Sequence, residues 1–537
     1  MLAMVSTSRK NCFLITAMVL TVLIILITRG LSLTYNMELH PDENKFFDAA
    51  TSLLESWLYG TEYVEEKPYP EGAYLFHLPF QGLRMLTASL LQWELSPRFW
   101  GRVASVFYFT LAVLMGMDLL NRFLGGNKLA VALYALSMCF SLFFLEQSRY
   151  GTGDMISLFL LMGILELLGA WCTKGKKRYL LLSFFLCGSL GAVKYPQLFF
   201  TLLPAATWFF TTEHRGKARL SRLAGLLGLT LLGLLLFSPK AIFDWAYFYR
   251  VIVREMGAYV SESVGGGFHN NFAQVALFQL LYSDFPLAFL ILAAGAIAAR
   301  PLAKCRQLQP KEDPASFLFH WVLPLTVFGF FAYNLFVTTL AMRTFTPYFG
   351  LSALYTALLA GNYFPKKRWR QICCCILTLF MICRGCCMVA LLSRDVYHAR
   401  FAATAQELLD RRDPEGRLIT FRHNYIPHKE IFEGQDYTQL RIQEFAEDNG
   451  GSYSLQPGDL VIVGALEFSS ASAYPLPPFR PNATVTHDSW EAFKAANEEY
   501  LVAISTPDWP YYFLGSFFKG GSFTNFTYPC SYLYYCP

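Results

Sequence analysis

The chain has 537 residues, 54% of them hydrophobic and only 15% charged, where a soluble globular chain averages about 25% charged. That balance excludes a water-soluble globular protein. The net charge of +5 reflects membrane orientation and not nucleic-acid binding, because the basic residues alternate between connections as set out below.

Several apolar stretches reach the roughly 20 residues that a helix needs to cross a bilayer. Hydropathy places eleven spans at about 11–33, 98–119, 129–146, 155–172, 179–193, 196–211, 223–238, 275–298, 317–340, 344–363 and 371–392. The first is expected to remain as a span. It is too long for a signal-peptide core, and no small-residue cleavage site comes before "TYNMELHPDE". Lys194-Tyr195-Pro196 interrupts one apolar block, so the fifth and sixth spans are the weakest division. Lysine and arginine gather in every second connection: Arg9-Lys10, Arg122 with Lys128, "KGKKR" at 174–178, "HRGKAR" at 214–219, the 300–311 segment and "KKRWR" at 366–370. Basic loops stay in the cytoplasm. The amino terminus is therefore expected inside and the carboxy terminus outside.

The connection 34–97 is long and faces outside on this reading. "PDENKFFDAATSLLESWLYG" has apolar residues at helical spacing, and a second amphipathic stretch follows "YPEGAYLFHLPF". Helices of this kind lie along the membrane face. A second large outside loop, 239–274, runs from Ser238-Pro239 to Gly265-Gly266-Gly267, a stretch suited to closing over a ligand. From about 395 to 537 the chain is more polar and reads as a small extracytoplasmic α/β domain, with strands in "GRLITF", "GDLVIVG" and "EYLVAIS".

Thirteen cysteines divide by location. Eleven lie in or beside spans at spacings that match no metal site, which makes them small packing residues. Cys530 and Cys536 sit in the outside tail, where a disulfide is permitted. Asn482-Ala483-Thr484 and Asn525-Phe526-Thr527 are glycosylation sequons in the same tail.

The chemistry-bearing residues recur at the outer mouths of the spans. His40-Pro41-Asp42-Glu43 follows the first span; as a bland reading it opens a helix, where acids are favoured. Glu146 to Asp154 reads "EQSRYGTGD", with Arg149 and Asp154. Lys194 and Arg343 are the single cations of two further outer connections. Each alone reads equally well as an interfacial anchor. Together they describe an outward pocket for an anionic, phosphorylated ligand whose lipid tail stays in the bilayer. Glu166 and Arg384, inside apolar runs, read as a structural pairing, and Asp284 lies near an outer mouth.

These elements carry a resemblance. "HPDE" with "YPEGAYLFHLPF" resembles the first outside loop of the GT-C glycosyltransferases, membrane enzymes that use polyprenyl-phosphate sugars. "SRYGTGDMISLFLL", "GSLGAVKYPQLFF" and "MRTFTPYFG" resemble successive elements of the dolichyl-phosphate-mannose–protein mannosyltransferase family and its bacterial relatives, with Thr344 where that family has tyrosine. The resemblance covers about 30–365, and more loosely the tail. It implies an inverting sugar transfer with Asp42 as base, and Glu43 orienting the acceptor or holding a cation. Arg343 and Lys194 would meet the donor phosphate. Asp154 would shape the acceptor side or pair with Arg149, and His40 would contact phosphate or cap the helix. It also implies a polyprenyl-phosphate sugar donor and a hydroxyl acceptor on protein, lipid or glycan. No cofactor is required, although a divalent cation is compatible with the carboxylates. The implied membrane is the plasma membrane, or the endoplasmic reticulum in a eukaryote. A transporter of lipid-linked sugars is the alternative, but it should show paired repeats and broken helices at the midplane.

Overall fold

The computed structural model describes residues 2–30, 33, 43–62, 71–93, 95–123, 127–238, 240–260, 310–335, 346–362, 367–392, 396–413, 415–421, 429–432, 434–464, 481–504 and 531–537. The chain divides into two units: a helical one built from 1–33, 44–267 and 272–386, and a second built mainly from 387–537.

The helical unit begins with α1 (Leu2–Gly30). It continues with α2 (Glu43–Tyr59), α3 (Glu71–Leu75), α4 (Leu78–Leu91) and α5 (Pro97–Arg122). Next come α6 (Lys128–Phe140), α7 (Leu142–Gln147), α8 (Asp154–Lys174) and α9 (Lys177–Val193), then α10 (Leu202–Thr211), α11 (Gly216–Leu236), α12 (Lys240–Phe243) and α13 (Trp245–Val260). Among the described residues four helices are long and apolar enough to cross a membrane: Cys12–Gly30, Pro97–Arg122, Asp154–Lys174 and Gly216–Leu236. Their exposed faces carry leucine, isoleucine and valine, such as Leu20, Leu23 and Ile27 on α1 and Leu231, Leu232 and Leu236 on α11. A face of that kind belongs against lipid. The chain is a polytopic helical membrane protein.

Local chemistry sets the helix ends. Ser96 caps α5, its hydroxyl accepting the Phe99 N–H at 3.2 Å, with Pro97 in the first turn. Asn127 caps α6 through the Ala130 N–H at 2.9 Å. The expected span 129–146 is two helices, α6 and α7, separated at Ser141. The expected division at 194–196 is a real break. Pro196 cannot continue a helix and biases the residue before it away from helical geometry. Lys194 is extended (φ −148°, ψ 109°) and a 3-10 turn, Tyr195–Thr201, leads into α10.

Helices α5, α8, α9 and α11 pack in series. The α9–α11 crossing is close because glycine faces glycine. A Cβ on Gly188 would run into the Thr230 carbonyl, and one on Gly233 into that of Phe185. Later helices are Pro314–Phe317, continued by a π turn at Leu318–Val322 and Leu323–Leu335, then Thr346–Asn362 and Lys367–Leu392. The expected span 275–298, with Asp284 and the Gly265–Gly267 run, lies outside the described residues. Glu166 pairs with Arg122 at 2.9 Å; Arg122 also holds Asp118 one helical turn away.

The second unit holds a five-stranded sheet in the order β2-β1-β3-β5-β4: β1 Leu418–Phe421, β2 Thr438–Leu440, β3 Leu460–Gly464, β4 Leu501–Ile504 and β5 Ser531–Tyr535. The pairs β1–β2 and β1–β3 are parallel; β3–β5 and β4–β5 are antiparallel. Side chains alternate across the sheet, as a period of two requires. Ile419, Phe421, Val461 and Val463 pack with Phe445, Trp490 and Phe493 on one face; Leu418, Leu460 and Ile462 pack with Phe401 and Ala405 on the other. Arg417 holds Asp459 with two parallel hydrogen bonds of 2.9 and 2.6 Å, tying the starts of β1 and β3. Cys536 is buried just past β5, while Cys530 and Asn525 lie outside the described residues.

Candidate active site

The site is assembled around the short connection between α7 and α8. Its two glycines sit against close neighbours. A Cβ on Gly153 would sit 3.2 Å from Ala73 of α3, 3.2 Å from Val193 at the end of α9 and 3.9 Å from Phe46 of α2. A Cβ on Gly151 would sit 3.3 Å from the backbone of Gly101 and 3.4 Å from the Phe47 ring. Gly72 presses on the Ala192 backbone, where a Cβ would come within 2.7 Å. The first long connection therefore folds back onto the ends of α5, α8 and α9. Its amphipathic pattern explains why: Phe46, Phe47 and Ala50 form the buried face of α2 at 2%, 3% and 0% exposure. Each phenylalanine so buried contributes about 1.5–3 kcal/mol. Trp57 and Tyr59 at the end of α2, and Leu90 and Trp93 at and just past the end of α4, are exposed and suit a membrane–water interface.

At the first turn of α8, Asp154 forms an ion pair with Lys194. Asp154 is 1% exposed and the Lys194 side chain 14%. The Thr152 hydroxyl donates to Asp154 Oδ2 at 2.8 Å. An acid at a helix N-terminus also meets favourable backbone dipoles. Lys194 points to this carboxylate because the proline break ends α9 and releases its side chain from the helix. Tyr195 beside it packs with Ala241, Phe248 and Val251, so the second long connection covers this element; the Tyr195 and Phe248 rings meet edge to face at 6.1 Å.

The sequence expectations meet the structure unevenly. Asp154 and Lys194 are brought together as an ion pair, a contact absent from the sequence reading, which gave Asp154 either to the acceptor side or to Arg149. Arg149 is 2% exposed in the same connection. Glu43 is the first residue of α2, with its side chain outside the described residues; His40, Asp42 and Arg343 also lie outside them. Among the described residues no group of three or more His, Cys, Asp or Glu side chains is placed to hold a metal.

The structure adds three residues that sequence reasoning missed. Glu71, in "YPEGAY", is 4% exposed and its Oε2 accepts the Lys240 backbone N–H at 2.8 Å. Burial is the main cause that pushes its pKa up to about 7; the Lys240 N–H and the Tyr74 hydroxyl oppose the rise, and the Asp244 charge adds to it. A lone acid in an otherwise apolar stretch was the available signal. His77, fully buried beside the Phe46 ring at 6.3 Å, has neither ring nitrogen hydrogen-bonded among the described residues. Burial pushes it down to about 4, so it is neutral. Arg29 is fully buried near the end of α1; its signal was one charge closing a long apolar run.

Glu71 makes a pH prediction. With a folded pKa near 7 against an ordinary 4.5, the folded chain holds one more proton at Glu71 than the unfolded chain between those values. Stability from this group is full below 4.5 and is lost as pH rises through about 7, by about 3 kcal/mol. Glu71→Gln keeps an acceptor for the Lys240 N–H and removes the titration. Its melting temperature relative to wild type should rise between pH 4.5 and 7. A pH-independent difference would mean that the carboxyl is not held protonated.

No protein-family model matches the chain, and no curated protein matches it. Among solved structures it is similar to ArnT from Cupriavidus metallidurans bound to undecaprenyl phosphate, at 12% identity over 88% of this chain and 97% of that one, with a TM-score of 0.47. It is also similar to ArnT from the same organism in the apo state, at 12% identity over 86% and 96% of the two chains, with a TM-score of 0.49. Against the arabinofuranosyltransferase AftD from mycobacteria the identity is 14% over 92% of this chain and 37% of that one, with a TM-score of 0.41.

Proposed function

We propose that the chain is an integral-membrane glycosyltransferase of the GT-C type, transferring a sugar from a polyprenyl-phosphate donor to an acceptor hydroxyl on the extracytoplasmic side. One observation carries this reading. Segments far apart in sequence, α2 just after "HPDE", α3 in "YPEGAY", the "RYGTGD" connection and "GAVKYP", all converge on Gly153. These are elements of the motif series that the GT-C resemblance rests on, and a shared reaction site is a physical reason for them to meet. Asp42 lies four residues before Phe46, and four residues of chain reach at most about 14 Å.

The chemistry follows from the residue types. Phosphate is already a competent leaving group, so the protein has to position, deprotonate and neutralise. Asp42 takes the proton from the acceptor hydroxyl as its oxygen attacks the anomeric carbon. The bond from that carbon to the phosphate oxygen breaks on the opposite face, so configuration inverts and polyprenyl phosphate leaves. Lys194 and Arg343 meet the phosphate charge. Glu43 orients the acceptor, and Arg149, Asp154 and His40 shape the pocket.

Proteoliposomes given a radiolabelled polyprenyl-phosphate sugar and a hydroxyl acceptor test the reading. Labelled glycoside should form, with free polyprenyl phosphate in equal amount. Movement of the labelled lipid across the bilayer with no new glycosidic bond would establish the transporter instead. In the same assay Arg343→Ala should raise the apparent donor KM about 10–100-fold, the worth of a hydrogen bond to a charged group. An unchanged donor KM would remove Arg343 from the phosphate site.

A further inference from the structure

The connection that carries Arg149 and Asp154 is clamped at both ends. At its far end Asp154 is held by Lys194. At its near end Ser148 is held by Arg29, which the sequence leaves unremarked. Arg29 Nε donates to Ser148 Oγ at 2.8 Å, Nη1 to the Cys139 carbonyl at 3.0 Å and to Thr28 Oγ1 at 2.7 Å, and Nη2 to the Met138 carbonyl at 3.4 Å. The guanidinium also lies over the Phe109 ring, 4.7 Å from its centre. Met138 and Cys139 belong to the last turn of α6, where carbonyls lack partners within the helix and a cation is favoured. One planar fork thus joins the end of α1 to α5, α6 and the connection, and Arg149 lies close enough for the two positive charges to interact. Between the clamps, Gly151 and Gly153 are walled in by Gly101, Phe47, Ala73 and Val193.

We propose that Arg29 is a positioning residue, which holds Ser148 through Asp154 in the one arrangement that presents Arg149 and Asp154 to the substrates. It touches neither donor nor acceptor. The catalytic part of this inference rests on the glycosyltransferase reading; the mechanical part does not. Lysine cannot replace arginine here, since a single ammonium cannot reach the serine and both carbonyls at once.

Amide hydrogen exchange on the full chain in detergent, with wild type, Arg29→Met and Arg29→Lys, tests the mechanical part. Exchange across 148–154 should rise about tenfold or more in Arg29→Met, as expected for a segment that opens locally. It should be intermediate in Arg29→Lys and unchanged in the middle of α8 and α9. Transfer kinetics test the catalytic part. Arg29→Lys should lose about 100-fold in kcat with donor KM within about threefold of wild type, the pattern of misplacement without lost binding. Wild-type exchange in both variants, or wild-type kcat in Arg29→Lys, overturns the proposal. So does a variant that loses protection throughout the helical unit, since that marks a residue of the fold alone. Should Arg29→Met fail to fold, Arg29→Lys decides by itself. If the wild type transfers no sugar, the function proposed above falls, and exchange alone decides whether Arg29 holds the connection.

Discussion

Asp42→Asn should lower the rate of sugar transfer about 10²–10⁴-fold, the usual contribution of a positioned general base. The amide has nearly the shape of the carboxylate and cannot accept the acceptor's proton. Donor binding should survive, because the proposed function assigns the phosphate to cations and not to Asp42. The measurement is transfer of labelled sugar in proteoliposomes, alongside donor binding and a melting curve for each protein. A folded Asp42→Asn protein that transfers at the wild-type rate would remove Asp42 as the base. Glu43→Gln in the same assay separates the two neighbours, since a role in orienting the acceptor predicts a raised acceptor KM.

Lys194→Met should produce the largest loss of stability. It removes the ammonium paired with the Asp154 carboxylate, which is 1% exposed, and breaking a buried ion pair by removing one partner costs about 3–5 kcal/mol. The partial exposure of Lys194, 14%, favours the lower end of that range. Adding Asp154→Asn removes the carboxylate charge that Lys194 met and preserves an acceptor for the Thr152 hydroxyl. The double variant should therefore recover most of the lost melting temperature, and the coupling between the two substitutions should be large. It should not recover transfer if Lys194 also meets the donor phosphate. A single variant as stable as wild type would show that the pair contributes nothing to the fold.

Both expectations bear on how far the primary structure could be read. The breaks and ends of the helices were legible because each has a local cause: Pro196 ends the run through α9, Ser96 and Asn127 cap α5 and α6, and the buried face of α2 repeats at helical spacing. The strands β1, β3 and β4 fall within the apolar runs "GRLITF", "GDLVIVG" and "EYLVAIS" for the same reason. The break at Ser141 was less legible. No proline or glycine marks it, and the serine was lost within an apolar run.

Partnerships between side chains were not legible. Asp154 meets Lys194 across 40 residues, and Arg29 meets Ser148 across 119. Glu71 meets the backbone of Lys240 across 169. Sequence proximity offered Arg149 as a partner for Asp154, whereas the contact with Lys194 across 40 residues had no local signal. By itself the chain determined its medium and those helix ends that have a local cause, because hydropathy, capping and proline geometry act within a few residues. Only tertiary structure decided which polar residues touch. Helix packing sets contacts by the fit of distant surfaces, as where Gly188 lets α9 close on α11 and Gly153 admits α2, α3 and α9 to one point.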